Sequence, residues 1–378
     1  MTWALRRLDE LGFVSRGRSR HRPRDAAHLY DGPYPFVQTG DVKHSGLYIT
    51  AHSQTYSSAG LEQSKLWPAG TLCITIAANI ADTAILAFDA CFPDSIIGFL
   101  ANDRKADARF VKYLFDATVQ QLAQQFSQGA TQDNLSQGKL LSIPLLMPEV
   151  GEQRRLADVL AAYDDLIDNN RRRIKLLEDS VRLLFDEWFV RLRFPGEVFA
   201  RSGARLPDGW SRLPLEEVLV LQRGFDLPSQ DREAGDTPIY RSTGIVGFHN
   251  KAKVFGPGIV TGRSGTLGDV HFVWQDFWPL NTALWVKEFK RVTPLFALYL
   301  LRGMNLGQYN GGVSVPTLDR KVVHKAEVVL PPVPLMERFD AMAQDVHQQI
   351  DILTKINAKL RAARDLLLPR LMSGELAV

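Results

Sequence analysis

Pro148-Glu149-Val150-Gly151-Glu152-Gln153-Arg154-Arg155-Leu156 is answered 183 positions later by Pro331-Pro332-Val333-Pro334-Leu335-Met336-Glu337-Arg338-Phe339. The spacing holds in both directions. Upstream, Phe126, Gly129 and Leu135 match Tyr309, Gly312 and Leu318; downstream, Ile167, Asp168, Leu177 and Leu184 match Ile350, Asp351, Leu360 and Leu367. So many matches at one spacing mark an internal duplication. Further upstream Trp3 and Leu8 face Trp210 and Leu215, and Phe92-Pro93 faces Trp278-Pro279. From Trp3 to Leu135 is 132 residues and from Trp210 to Leu318 is 108, so the halves share a frame and differ in loop content.

After Pro148, Leu156, Leu160, Tyr163, Ile167, Asn170, Ile174, Leu177, Val181, Leu184 and Trp188 alternate spacings of four and three, which is a heptad seam. Phe339, Met342, Val346, Gln349, Leu353, Ile356, Leu360, Ala363 and Leu367 repeat it after the breaker run Pro331-Pro332-Val333-Pro334. Each seam predicts a helix of about 35 residues, about 50 Å long at 1.5 Å per residue. The economical partner for each is the other, as an antiparallel coiled coil that sets the two modules at opposite ends of a rod, with Asn170 fixing register. The modules read as mixed α/β, with short strands such as 71–76, 270–274 and 326–330 between Gly- and Pro-rich turns. The organisation expected is a module at 1–150, a helix at 151–193, a linker at 194–209, a second module at 210–333 and a second helix at 334–378.

The 378 residues carry a formal charge of +3, which permits an anionic partner without requiring one. No run of eighteen apolar residues and no leader-like start occurs, so the expected location is cytoplasmic, without a membrane. Two cysteines and scattered histidines provide neither a disulfide framework nor a zinc site. The chain also lacks a Walker lysine loop, a His-Glu-x-x-His pair, a nucleophile elbow and a methyltransferase cofactor loop.

Positive charge gathers in Arg16-Gly17-Arg18-Ser19-Arg20-His21-Arg22-Pro23-Arg24, which suits a loop along phosphates as well as a solvated turn. The corresponding stretch of the second half, Gln222-Arg223-Gly224-Phe225-Asp226, offers side chains that discriminate base edges. Arg241-Ser242-Thr243 and Arg263-Ser264 place an arginine among small hydroxylic residues; Gln38-Thr39 and Asn79 are the first-half counterparts. The loops holding Gln128 and Thr131, and Ser314, recur before each helix. Arg16, Arg18, Arg20, Arg22, Gln38, Thr39, Asn79, Gln128, Thr131, Gln222, Arg223, Arg241, Ser242, Thr243, Arg263, Ser264 and Ser314 are therefore the expected DNA contacts, with no catalytic residue among them. Two alternatives stay open: a Mg-dependent nuclease using Asp94, Asp103 and Lys105, and a coiled-coil interaction protein that never touches DNA.

Across its whole length the chain resembles the specificity subunits of type I restriction-modification systems. The resemblance rests on Trp3 to Leu8 and Trp210 to Leu215, Trp278-Pro279-Leu280-Asn281-Thr282-Ala283-Leu284, the passages ending in Pro148 and Pro331, and Gly151-Glu152-Gln153-Arg154-Arg155-Leu156. It also rests on Leu184-Phe185-Asp186-Glu187-Trp188-Phe189 and Leu367-Leu368-Pro369-Arg370-Leu371-Met372-Ser373-Gly374-Glu375-Leu376. It implies two target recognition domains, each reading one half of a split site in double-stranded DNA. It further implies spacer helices that dock two methyltransferase subunits, and separate motor-nuclease restriction subunits. S-adenosylmethionine, Mg and ATP would then sit on those partners and none on this chain. Unequal modules predict an asymmetric target.

Overall fold

A computed structural model describes residues 3–77, 80–119, 136–194, 197–198, 206–312 and 314–378. Contacts gather the chain into two units: unit 1 is Met1–Arg172 with Leu353–Val378, and unit 2 is Arg173–Ile352.

In unit 1 a five-stranded sheet runs in the order Gly12–Arg16, Ile96–Ala101, Leu72–Thr75, Thr83–Leu86, Tyr48–Ile49. Its central strands are buried on both faces, which explains apolar runs such as Leu72-Cys73-Ile74 where an exposed sheet would alternate. A second sheet joins Gln54–Tyr56, Tyr30–Phe36, Ala90–Cys91 and Leu66–Trp67, and Ala4–Arg6 pairs with Leu145–Met147. Unit 2 repeats the plan: Leu219–Arg223, Ala283–Phe289, Gly258–Gly262 and Val270–Val273 form one sheet. Gly244–His249, Thr237–Arg241 and Trp278–Pro279 form another, and Ser211–Pro214 pairs with Glu327–Leu330. The helices Ala108–Leu114 and Pro294–Gly303 pack into the two cores.

Hydrogen bonds correct one pairing of the repeat. Arg18 N donates to Phe92 O and Gly17 N to Ile96 O, while Phe225 N donates to Pro279 O and Gly224 N to Ala283 O. Phe92 is thus answered by Pro279 and Pro93 by Leu280, one place away from the match of Phe92-Pro93 with Trp278-Pro279. Both halves carry an aromatic-proline dipeptide here, but the ladder bonds fix the register.

Ten of the 24 residues of length difference sit at one corner: Phe36 and Ile239 are equivalent, and Phe36 pairs with Gln54, 18 residues on, where Ile239 pairs with Gly247, 8 residues on. Arg241 pairs directly with Gly244 across a tight turn, whereas Phe36 pairs with Gln54, with Thr39–His44 and Tyr48–Ile49 inserted between.

The long helices are Val150–Phe185, continued by a π-helical turn at Asp186–Val190, and Val333–Met372. Leu156, Leu160, Ile167, Asn170, Val181 and Trp188 of the first seam are buried. The second seam is rotated from the apolar reading. Met342 and Ile356 stand 48% and 41% exposed, while Ala343, His347 and Asn357 are buried. Two polar residues occupy core positions, and hydrophobicity alone pulled the phase off them.

Within unit 1 the helices run antiparallel: Asp164 receives Arg364, and the Asn170 amide donates to Asn357 Oδ1 at 2.9 Å. Within unit 2 the two helices meet again, with Phe185 and Trp188 against Phe339 at ring centroids of 5.6 and 6.5 Å. Leu371 and Met372 complete the core of unit 1 beside Leu8, Phe110 and Leu156.

Candidate nucleic-acid interface

Strand order gathers the unit 2 candidates at one sheet end. Arg223 pairs with Leu284 and Gly262 with Ala283, so the outgoing ends of Leu219–Arg223 and Gly258–Gly262 flank the incoming end of Ala283–Phe289. Arg263 follows directly. Its amide donates to Thr282 O and its Nε to Asn281 O at 2.7 Å, which anchors the side chain while leaving its terminal nitrogens for another acceptor. Arg241-Ser242-Thr243 forms the neighbouring turn; a Cβ at Gly262 would lie 3.2 Å from that of Ser242. Arg241 and Thr243 are exposed, whereas Ser242 is buried and supports the turn.

The loop carrying Ser314 lies against the segment that follows Arg263, because Gly265 N donates to Pro316 O and Ser264 bridges Thr317. Asn310 Oδ1 accepts from Gly312 N and Thr317 N, holding the loop closed, and Ser314 is exposed. Residues scattered over 222–314 thus form one edge offering Arg223, Arg241 and Arg263 to an anion, with Gln222 half-buried beside them.

Unit 1 builds the same end more sparsely. Arg16 pairs with Ile97 and Thr75 with Ile96, placing Arg16 where unit 2 has Arg223. Gly17 and Gly224 follow for one reason: a Cβ at either would lie 2.3 Å from a backbone oxygen, of Phe92 and Pro93 at Gly17 and of Leu280 at Gly224. The arginine run divides in two. Arg18 Nε donates to Ser64 O at 2.8 Å, Arg22 to Ser19 O and His21 O, and Arg24 pairs with Asp94 at 3.1 Å. These three stitch the loop. Arg16 and Arg20 are exposed, with no side-chain acceptor for either guanidinium among the described residues. Gln38 donates to Gln54 Oε1 at 2.5 Å and Thr39 opens the insert helix, both half-buried. Asn79, Gln128 and Thr131 lie outside the described residues.

Sequence reasoning missed the supports. Asp226 pairs with Arg223 at 3.8 Å and accepts from the Asn281 amide, linking Arg223 to the anchor of Arg263. Behind the edge, His271 Nε2, Thr282 Oγ1 and the Trp278 and Trp285 indole nitrogens are buried without a hydrogen-bond partner among the described residues. Burial lowers the His271 pKa, only partly offset by Asp269, so the ring is neutral at pH 7. In both units a lysine lies over aromatics: Lys65 over Phe13 and Trp67 at 4.4 and 3.7 Å, and Lys253 over Trp278 at 5.2 Å. Such pairs are set by packing, and no short motif announces them.

The nuclease alternative finds no support. Asp94 holds Arg24, Lys105 Nζ donates to Glu10 O at 3.1 Å, and among the described residues no group of three His, Cys, Asp or Glu could hold a metal ion.

The family model for the type I restriction modification DNA specificity domain matches residues 1–179 and 207–362. The chain is 23% identical over 408 residues to the type I restriction enzyme MjaIX specificity subunit of Methanocaldococcus jannaschii, covering 100% of this chain and 94% of that one. It is 19% identical over 339 residues to the type I restriction enzyme EcoprrI specificity subunit of Escherichia coli, covering 84% and 82%. In fold it is similar to the S subunit of a type I restriction-modification system from M. genitalium, with a TM-score of 0.61, 16% identity, and 98% and 96% of the two chains covered. With two modules on one plan and the family model matched in both halves, the chain belongs to the family of type I restriction-modification DNA specificity proteins.

Proposed function

We propose that this chain is the sequence-reading subunit of a type I restriction-modification complex, binding double-stranded DNA and performing no chemistry itself. The observation that carries the reading is the convergence of Arg223, Arg241 and Arg263 on one sheet end of unit 2, with Arg16 at the equivalent place in unit 1. Arg223 and Arg241 are exposed and Arg263 half-buried; arginines so placed take phosphates or the O6/N7 edge of guanine, and the neighbouring Gln222 and Thr243 suit other base edges.

Each module, proposed at 1–150 and 210–333, reads one half-site. The insert at Thr39–His44, present in one module alone, favours two different half-sites and so an asymmetric split target. The helices proposed at 151–193 and 334–378 dock two methyltransferase subunits, and motor-nuclease subunits complete the assembly; S-adenosylmethionine, Mg and ATP act there. A cytoplasmic location accords with this reading, and no described helix is long and apolar enough to cross a membrane.

Methylation-sensitive sequencing of a host carrying this chain and its partner subunits tests the reading. A split, asymmetric methylated motif is expected. A palindromic motif refutes the asymmetry, and DNA binding by the assembly that ignores salt refutes the phosphate contacts. Arg263→Ala is expected to cost about 5- to 150-fold in affinity for that motif, the span of one base contact at about 1–3 kcal/mol.

A further inference from the structure

Away from the recognition edge, unit 1 has a cleft of about 280 Å3 between the 45–50 segment of the insert and the two long helices. Four arginines line it, Arg171 and Arg172 from the first helix and Arg361 and Arg364 from the second. Two are already satisfied. Arg172 pairs with Asp168 at 2.6 Å, and Arg364 is held by Asp164 and, at 2.8 Å, by Asp365. Arg171 and Arg361 reach no carboxylate among the described residues, although Asp165 also lines the cleft. Arg171 and Arg361 therefore keep guanidinium nitrogens open to an acceptor, while the carboxylates of Asp164, Asp168 and Asp365 are already engaged by Arg364 and Arg172.

The insert closes over one of them: a Cβ at Gly46 would stand 4.0 Å from Arg171 Nη1. The Arg361 pKa is lowered, first by burial and then by Arg171 and Arg364, with Asp365 acting the other way. Two planar forks and the nearby Tyr48 and Thr50 hydroxyls match the oxygens of a phosphoryl group. The repeat does not duplicate this cluster, since 183 residues relate Arg171 to Thr354, and Glu178 to Arg361.

We propose that this cleft seats one phosphodiester group of the DNA backbone, gripped by Arg171 and Arg361 outside the recognition edge. The inference rests on the DNA-reading function above and adds a sequence-independent anchor that only one half of the chain carries.

The test follows binding of the full chain to a mixed-sequence duplex of about 40 base pairs by fluorescence anisotropy over a range of KCl concentrations. Arg171→Gln/Arg361→Gln is expected to lower the slope of log K against log salt by about 0.9, and affinity near 0.1 M salt by about five- to tenfold. Arg171→Lys/Arg361→Lys keeps the charge and is expected to keep most of the slope; Arg212→Gln, at an exposed pair in unit 2, should leave it unchanged.

A slope equal to wild type in the glutamine variant overturns the proposal. So does saturation by millimolar inorganic phosphate that is abolished in that variant while DNA binding is untouched, which would make the cleft a free-anion site. If wild-type chain binds DNA with no salt dependence, the DNA-reading function fails and this inference with it; an unchanged slope alongside normal DNA binding sinks the inference alone.

Discussion

Replacing Asn357 by Leu should loosen the helix pair of unit 1 more than replacing Asn357 and Asn170 together. Both amides are nearly inaccessible, at 4% and 8% exposure. Asn170 Nδ2 donates to Asn357 Oδ1 at 2.9 Å, and Asn357 Nδ2 reaches Ile167 O at 3.4 Å. The single substitution strands a buried amide donor and removes the donor to Ile167 O, and a stranded buried polar group costs about 1–3 kcal/mol. Asn170→Leu strands Asn357 Oδ1 at a similar cost. In the double variant both amides are gone and two leucines meet across the seam, a change expected within about 1 kcal/mol of neutral. The cycle should therefore show a coupling of about 2–6 kcal/mol, the sum of the two single costs that the double variant escapes. Because two units do not unfold as one state, the readout is native-state hydrogen exchange of the helix amides near 167–174. Strictly additive single effects would refute the reasoning. The double variant should also be less strict in register, since a buried polar pair penalises slipped alignments that leucines accept.

His347, buried beside Tyr299 whose hydroxyl lies 2.9 Å from its Nε2, has its pKa pushed down to about 4, chiefly by burial and then by Arg302. The unfolded chain takes up this proton near pH 6.5 and the folded chain only near 4, so stability falls as pH drops through that window, by roughly 3 kcal/mol from this group. His347→Gln should flatten the pH dependence of unit 2 unfolding there; an unchanged profile refutes the assignment. Gly224→Ala would set a Cβ 2.3 Å from Leu280 O, and is expected to lower the melting temperature of unit 2 and weaken DNA binding through Arg223, whereas Gly40→Ala, with open space around it, should do neither. Asp226→Asn should free Arg223 of its 3.8 Å partner and alter half-site preference with little effect on melting temperature.

The duplication and both long helices were legible because a 183-residue spacing and a heptad are periodic signals that survive loop changes. Phase was less legible. His347 and Asn357 are polar residues in core positions, so an apolar pattern steps past them to Met342 and Ile356. At the interface, Arg16-Gly17 and Arg223-Gly224 could be paired from sequence, because glycine was needed at one place in both halves. What could not be read was the use of each arginine. Arg18, Arg22 and Arg24 look like Arg16 and Arg20 until their acceptors are seen, and those acceptors are mostly backbone oxygens, which leave no trace in composition.

Unit 2 is one continuous stretch, Arg173–Ile352, whereas unit 1 needs Leu353–Val378 to return to residues of the N-terminal module. On the ribosome, which delivers the chain from its N-terminus, the first module to emerge is therefore the second able to finish. Until Leu371 and Met372 arrive, the core face around Leu8, Phe110 and Leu156 stays uncovered. The module made first is thus the one exposed for longest to misassociation during synthesis, and truncation after residue 352 should aggregate through it while leaving unit 2 folded.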